Sequence, residues 1–209
     1  MKPHEQTADV IWRKHLAAFD VERVTRRFYK GYKDVLDKLK GELARQRRVG
    51  AKLAEIHAFA QQLLNRLMFL YFVQKKGWLR WGDGTPDTHY LSSLWRTYRD
   101  DQLPTRGDTE AGFYAYWLRP LFLDAFNKRI ADIRANTHLP QQIKDSFLRM
   151  PHLNGGLFEE NELDELDFSV PDWYFEMLFD RFEREEPGFL ERYNFTVDES
   201  TPLEVEVAV

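Results

Sequence analysis

The sequence contains no cysteine, which excludes a disulfide scaffold, a cysteine-ligated zinc site and a thiol nucleophile together. Long apolar runs are missing too. The longest, Leu-Met-Phe-Leu-Tyr-Phe-Val at 67–73, falls far short of the roughly 20 residues a helix needs to cross a bilayer. The opening Met-Lys-Pro-His-Glu-Gln-Thr precedes no apolar stretch, so it does not read as a signal peptide. A soluble, cytoplasmic chain with no membrane partner is the expectation.

Chemistry-bearing motifs are equally scarce. Gly82-Asp83-Gly84 lies in a turn cluster without the strand–helix context of a phosphate loop, and Asn154-Gly155-Gly156 lacks the third glycine of a dinucleotide fingerprint. His4, His15, His57, His89, His138 and His152 show no metal-ligand spacing. The carboxylates Glu159, Glu160, Glu162, Asp164, Glu165 and Asp167 form a run that reads as a solvated loop. Pro86-Asp87 and Pro171-Asp172 begin like a nuclease motif, but neither is followed by a strand bearing acid-x-Lys, and no lysine follows Arg149. No catalytic residue and no metal ligand is predicted.

What the chain does have is apolar mass and a lengthwise charge gradient. Hydrophobic residues are 43% of the 209, with 15% aromatic, enough to bury a core and to set disorder aside. Residues 1–80 carry 18 Lys/Arg against 8 Asp/Glu, 81–150 carry 9 of each, and 151–209 carry 3 against 17. The basic part either packs against the acidic part and solvent, or faces a polyanion, since Lys/Arg neutralisation of phosphate underlies nucleic-acid affinity.

Periodicity predicts a mainly α protein, a multi-helix bundle with a short C-terminal β segment. Asp20 is a plausible N-cap for a helix whose stripe is Val21, Val24, Phe28, Tyr32, Val35 and Leu39. A helix over 51–76 is apolar on nearly all sides and belongs at the bundle centre, with Gly77 as its left-handed cap. Shorter helices follow near 88–100, 109–128 and 139–149, with Pro120 marking a kink or restart, and another at 172–184. Leu203, Val205, Val207 and Val209 alternate with Pro202, Glu204, Glu206 and Ala208 as in a strand. The expected organisation is an N-terminal arm at 1–18, a helical bundle at 19–150, and an acidic helical segment at 151–209 whose strand leads into another domain.

Four stretches carry a resemblance. They are Phe19-Asp-Val-Glu-Arg-Val-Thr-Arg-Arg-Phe-Tyr, the helix Leu63-Leu-Asn-Arg-Leu-Met-Phe-Leu-Tyr-Phe-Val with its Gly77-Trp78 end, Leu153-Asn-Gly-Gly-Leu-Phe, and the segment from Tyr193-Asn-Phe to Val209. In this order, over 19–209, they resemble the helical connector just upstream of the methyltransferase domain in large adenine-N6 DNA methyltransferases. These include fused type II restriction–modification enzymes and related phage-defence methylases. The resemblance implies a site-specific, S-adenosylmethionine-dependent parent enzyme. Its cofactor loop and Asn-Pro-Pro-Tyr motif do not occur here, so this chain is not expected to be catalytic or to bind the cofactor itself. The implied partner is a methyltransferase domain of the same or a neighbouring polypeptide. Asn154, Gly155, Gly156, Leu157, Phe158, Tyr193, Asn194 and Phe195 are the candidate structural or interdomain residues. Arg23, Arg26, Arg27, Arg45, Arg47, Arg48 and Lys52 are the candidate contacts to the backbone of double-stranded DNA. The alternative is a stand-alone nucleic-acid-binding module using the basic N-terminal half.

Overall fold

A helix that is apolar all round must be covered all round, and α2 (Leu53–Lys75) is. Ile56, Phe59, Ala60, Leu63, Leu64, Leu67, Leu70, Tyr71 and Val73 are buried along it. The computed structural model describes residues 3–46, 52–106, 112–153, 156–166, 168–180 and 187–193, with side chains described from residue 23 onward and not over 101–106. Helix α1 (Pro3–Arg45) lies against α2 through Val35, Leu36, Leu39 and Leu43. On another side sits α3 (Tyr90–Arg106), which buries Tyr90, Leu91, Leu94, Trp95 and Tyr98. The helix expected to open at Asp20 begins at Pro3, because nothing from Pro3 to Asp20 is a glycine or a further proline that would break it. No backbone break therefore separates residues 3–18 from the remainder of α1.

Both ends of α2 are fixed by recognisable chemistry. The Lys52 N–H donates to the Glu55 carboxylate at 2.7 Å, the return half of a capping box. At the other end Gly77 has φ +70°, its N–H reaches Gln74 O at 2.8 Å, and the Trp78 N–H reaches Val73 O at 3.4 Å. That pair of bonds is a Schellman motif, with glycine where a Cβ would be strained, as the sequence predicts.

The region around Pro120 takes an unusual solution. Two π-helical turns, Tyr114–Leu118 and Leu121–Ala125, flank it, and Pro120 itself keeps helical angles. Proline cannot donate to the carbonyl four residues back and its ring crowds that carbonyl. Shifting to longer-range bonds, such as Phe126 N–H to Leu121 O at 3.3 Å, absorbs the misfit without breaking the rod. This keeps Phe113, Trp117, Leu118, Leu121, Phe122 and Phe126 buried as one face.

Three shorter helices complete the bundle: α4 (Ile130–Ala135), α5 (Gln141–Arg149) and α6 (Asp172–Phe179). Of these α4 has no counterpart in the sequence reading. A 3-10 turn, Phe189–Arg192, packs on α6 and returns to α1. Among the described residues the protein is mainly helical, and its sheet-like pairing is confined to an isolated Arg80–Pro86 bridge. The predicted strand at 203–209 lies outside the described residues.

Candidate nucleic-acid interface and anchoring segments

Four of the predicted phosphate contacts are exposed on helix α1. With about 100° between successive residues, Arg23, Arg26 and Arg27 fall with Lys30 on one arc of roughly 100°. The predicted apolar stripe is buried only progressively here: Val24 is 52% exposed, Phe28 and Tyr32 are half-buried, and Val35 and Leu39 are covered. Arg45 stands about 33 Å further along the helix from Arg23, exposed, with its guanidinium 3.0 Å from Glu42. Lys52 is exposed at the start of α2, while Arg47 and Arg48 lie outside the described residues. The structure thus brings Arg23, Arg26 and Arg27 together and leaves Arg45 apart from them.

A cavity of about 610 Å³ opens where α1 meets the Phe189–Arg192 turn, lined by Arg27, Lys30, Gly31, Asp34, Arg192 and Tyr193. Its construction depends on one missing side chain. A Cβ on Gly31 would come within 2.9 Å of the Phe189 ring and 3.6 Å of the Tyr193 hydroxyl, so glycine lets the turn seat directly on the helix. Phe28 then packs edge-on to Tyr193 at 5.0 Å and tilted to Phe189 at 5.6 Å. Arg192 is braced by its Nε–H donating to Pro187 O at 2.7 Å. Burial pushes the Tyr193 phenol above its usual pKa, against the opposing pull of Arg192 and Arg27. Of the terminal motif, Tyr193 is therefore an anchored residue, and Asn194 and Phe195 lie outside the described residues.

The glycine-rich motif serves as an anchor as well. Gly156 takes φ +75° and is exposed, turning the chain so that Phe158 enters the core. Phe158 is caged by Phe126 at 4.8 Å, Phe122 at 5.8 Å and Phe69 at 5.9 Å. Two polar side chains grip the backbone on either side. Asn127 Nδ2 donates to Phe158 O at 2.8 Å, and Arg66 Nε donates to Leu157 O at 2.8 Å. Asn154 and Gly155 lie outside the described residues.

Sequence reasoning missed the centre of this grip. The Arg66 guanidinium, 2% exposed, makes a two-pronged ion pair with Asp164 at 2.5 and 2.9 Å, and Asp164 is fully enclosed. The carboxylate run is a solvated loop at Glu159, Glu160, Glu162 and Glu165, as expected, but not at Asp164. A signal for this was present. Arg66 is the one charged residue between Glu55 and Lys75 in α2, and a charge on such a helix needs a partner.

Other acidic groups are committed to the scaffold in the same way. Asp172 accepts from the Tyr98 hydroxyl at 2.7 Å and from Phe113 N–H at 3.0 Å. Asp87 accepts from His89 N–H at 2.7 Å and Trp81 Nε1 at 3.0 Å. Its partial burial pushes its pKa up, but the hydrogen bonds from His89, Ser93 and Trp81 outweigh this and hold it below the usual carboxylate range. Both Pro-Asp pairs are thus engaged in holding loops. Glu191 accepts from Tyr71 at 2.7 Å and from Ser92, tying the 3-10 turn to α2 and α3. Among the described residues no group of three or more His, Cys, Asp or Glu is placed to hold a metal ion. No helix among them is long and apolar enough to cross a membrane.

In sequence the chain is similar to one curated restriction–modification protein. The relative is a protein of Methanocaldococcus jannaschii named a "putative type II restriction enzyme and methyltransferase". It is 29% identical over 202 aligned positions, which cover 86% of this chain and 15% of that protein. The chain therefore spans about a seventh of the relative's length. No family profile and no solved structure matches it.

Proposed function

We propose that this chain is the helical connector of an adenine-N6-specific, S-adenosylmethionine-dependent restriction–modification or phage-defence enzyme. It orients the methyltransferase domain and touches the DNA backbone without performing the chemistry. The observation that carries this reading is the match of most of this chain to a small part of a restriction enzyme and methyltransferase. The architecture supports it. The buried Arg66, Asp164 and Asp172 and the half-buried Glu191 are spent on holding loops against helices, which makes a stiff spacer. The basic arc of α1 supplies charges of the sign that a DNA-backbone contact requires.

The cofactor belongs to the partner domain in this reading. The test is to mix this chain with the methyltransferase domain encoded in the same or the neighbouring reading frame and to measure association by calorimetry. A stable complex is expected, together with no methyl transfer to duplex adenine by this chain alone. Absence of a complex at tens of micromolar, or methyl transfer by the isolated chain, would sink the reading.

A further inference from the structure

We propose that the cavity between α1 and the Phe189–Arg192 turn is a phosphodiester-binding site that takes one backbone phosphate of DNA, bridging Arg27 and Lys30 to Arg192. This rests on the reading that the chain belongs to a DNA-modifying enzyme, and it names where the duplex is gripped. Three cations from opposite ends of the sequence converge on one concave space of about 610 Å³. Surface lysines and arginines usually diverge into solvent, whereas these line a common wall. Among the described residues, neither Arg27 nor Lys30 has a carboxylate within ion-pair distance. Asp34, the acid in the lining, sits 3.1 Å from Lys38 on the next turn of the helix. Its charge is turned to that neighbour and leaves the described lining of the cavity net positive.

The floor is equally suited to an anion. Gly31 lets the Phe189 ring seat against the helix beside the cavity, and the Tyr193 hydroxyl, protonated at neutral pH, adds a donor beside the guanidinium groups. Arg192 is already oriented by the Pro187 carbonyl, so less side-chain freedom is lost when it binds. A phosphate held here pins the Phe189–Arg192 turn and Tyr193 to the basic helix.

The experiment uses the full chain and a fluorescently labelled duplex of about two helical turns, with affinity measured by anisotropy across a salt series. The parent is expected to bind with a steep log–log salt slope. Arg27→Ala/Lys30→Ala removes most of the grip on that one phosphate, lowering the slope by up to about 0.9 and weakening binding by up to roughly tenfold near 0.1 M salt. The conservative pair Arg27→Lys/Lys30→Arg restores the slope. The control Arg134→Ala/Lys144→Ala removes the same charge from α4 and α5 and leaves the slope nearly unchanged. Circular dichroism melts check that every variant is folded.

An unchanged slope in Arg27→Ala/Lys30→Ala, with the parent still binding, overturns the site and leaves the DNA-contact reading standing. No duplex binding by the parent at low salt overturns both. Inorganic phosphate that shifts the Arg27 and Arg192 resonances while the duplex does not bind would show an anion site that is not for DNA.

Discussion

Removing the Asp164 carboxylate should be among the most damaging single changes to this fold. Asp164→Ala leaves the Arg66 guanidinium, 2% exposed, without its counter-ion. Breaking a buried pair from one side costs about 3–5 kcal/mol, a large share of the roughly 5–15 kcal/mol that holds a typical domain together. Arg66 would keep its hydrogen bond to Leu157 O, so the charge stays buried and cannot swing out to water without releasing the 157–164 segment. The double change Arg66→Met/Asp164→Leu removes the charge problem altogether. It still strips Leu157 O of its donor, at about 1–3 kcal/mol for a buried unsatisfied group. The double variant should therefore be more stable than Asp164→Ala alone. Urea unfolding followed by tryptophan fluorescence measures this. With a slope of about 2–3 kcal/mol/M, the midpoint of Asp164→Ala falls by about 1–2.5 M. A loss under about 1 kcal/mol, or a double variant as unstable as the two single losses summed, would refute the account of Arg66 as a buried charge neutralised by Asp164.

Phe158→Ala should cost about 3–5 kcal/mol through the cavity left among Phe69, Phe122 and Phe126, read by the same unfolding assay. Gly77→Ala should cost about 1 kcal/mol without changing the helical signal in circular dichroism, because the cap position is left-handed. Acid should weaken the 78–90 turn through Asp87. Its folded pKa lies below its unfolded value, so its contribution is complete above the ordinary carboxylate range and fades as pH falls through the folded value. Asp87→Asn should flatten that acid limb in a stability-versus-pH series. At the alkaline end the sign reverses. Burial, and then the Glu191 charge, raise Tyr71 well above its ordinary pKa, so its contribution is full below about pH 10 and is lost above it. Phenolate absorbance should show Tyr71 ionising only as the chain unfolds, and a Tyr71→Phe variant should lose that component.

The elements legible in the sequence are those specified by local rules. Helix α2 declares itself through its apolar residues on every side, and Gly77 through its place after the last lysines, because capping and periodicity act within a few residues. The start of α1 was not legible in the same way. Asp20 resembles an N-cap, yet a cap only matters where the preceding backbone leaves the helix, and from Pro3 on it does not. Pro120 marked the right place for an irregularity, while the choice of π turns over a kink depends on keeping Trp117 and Phe122 on one buried face. The site divides along the same line. The charges of α1 could be counted in the sequence, but the cavity that gathers Arg27, Lys30 and Arg192 arises from Gly31 meeting Phe189 across 158 positions. The Arg66–Asp164 pair spans 98 positions and left only the indirect trace of a lone charge in an apolar helix.

That separation has a consequence for how the chain is made. Helix α2 leaves the ribosome long before Asp164 is synthesised. At about 5–20 residues per second, the 98 intervening residues take about 5–20 s. Through that interval Arg66 has no carboxylate to meet, and burying it would cost several kcal/mol. Burial of α2 around Arg66 is thus expected to be unfavourable until the acidic segment has emerged, so closure of the core should wait for Asp164.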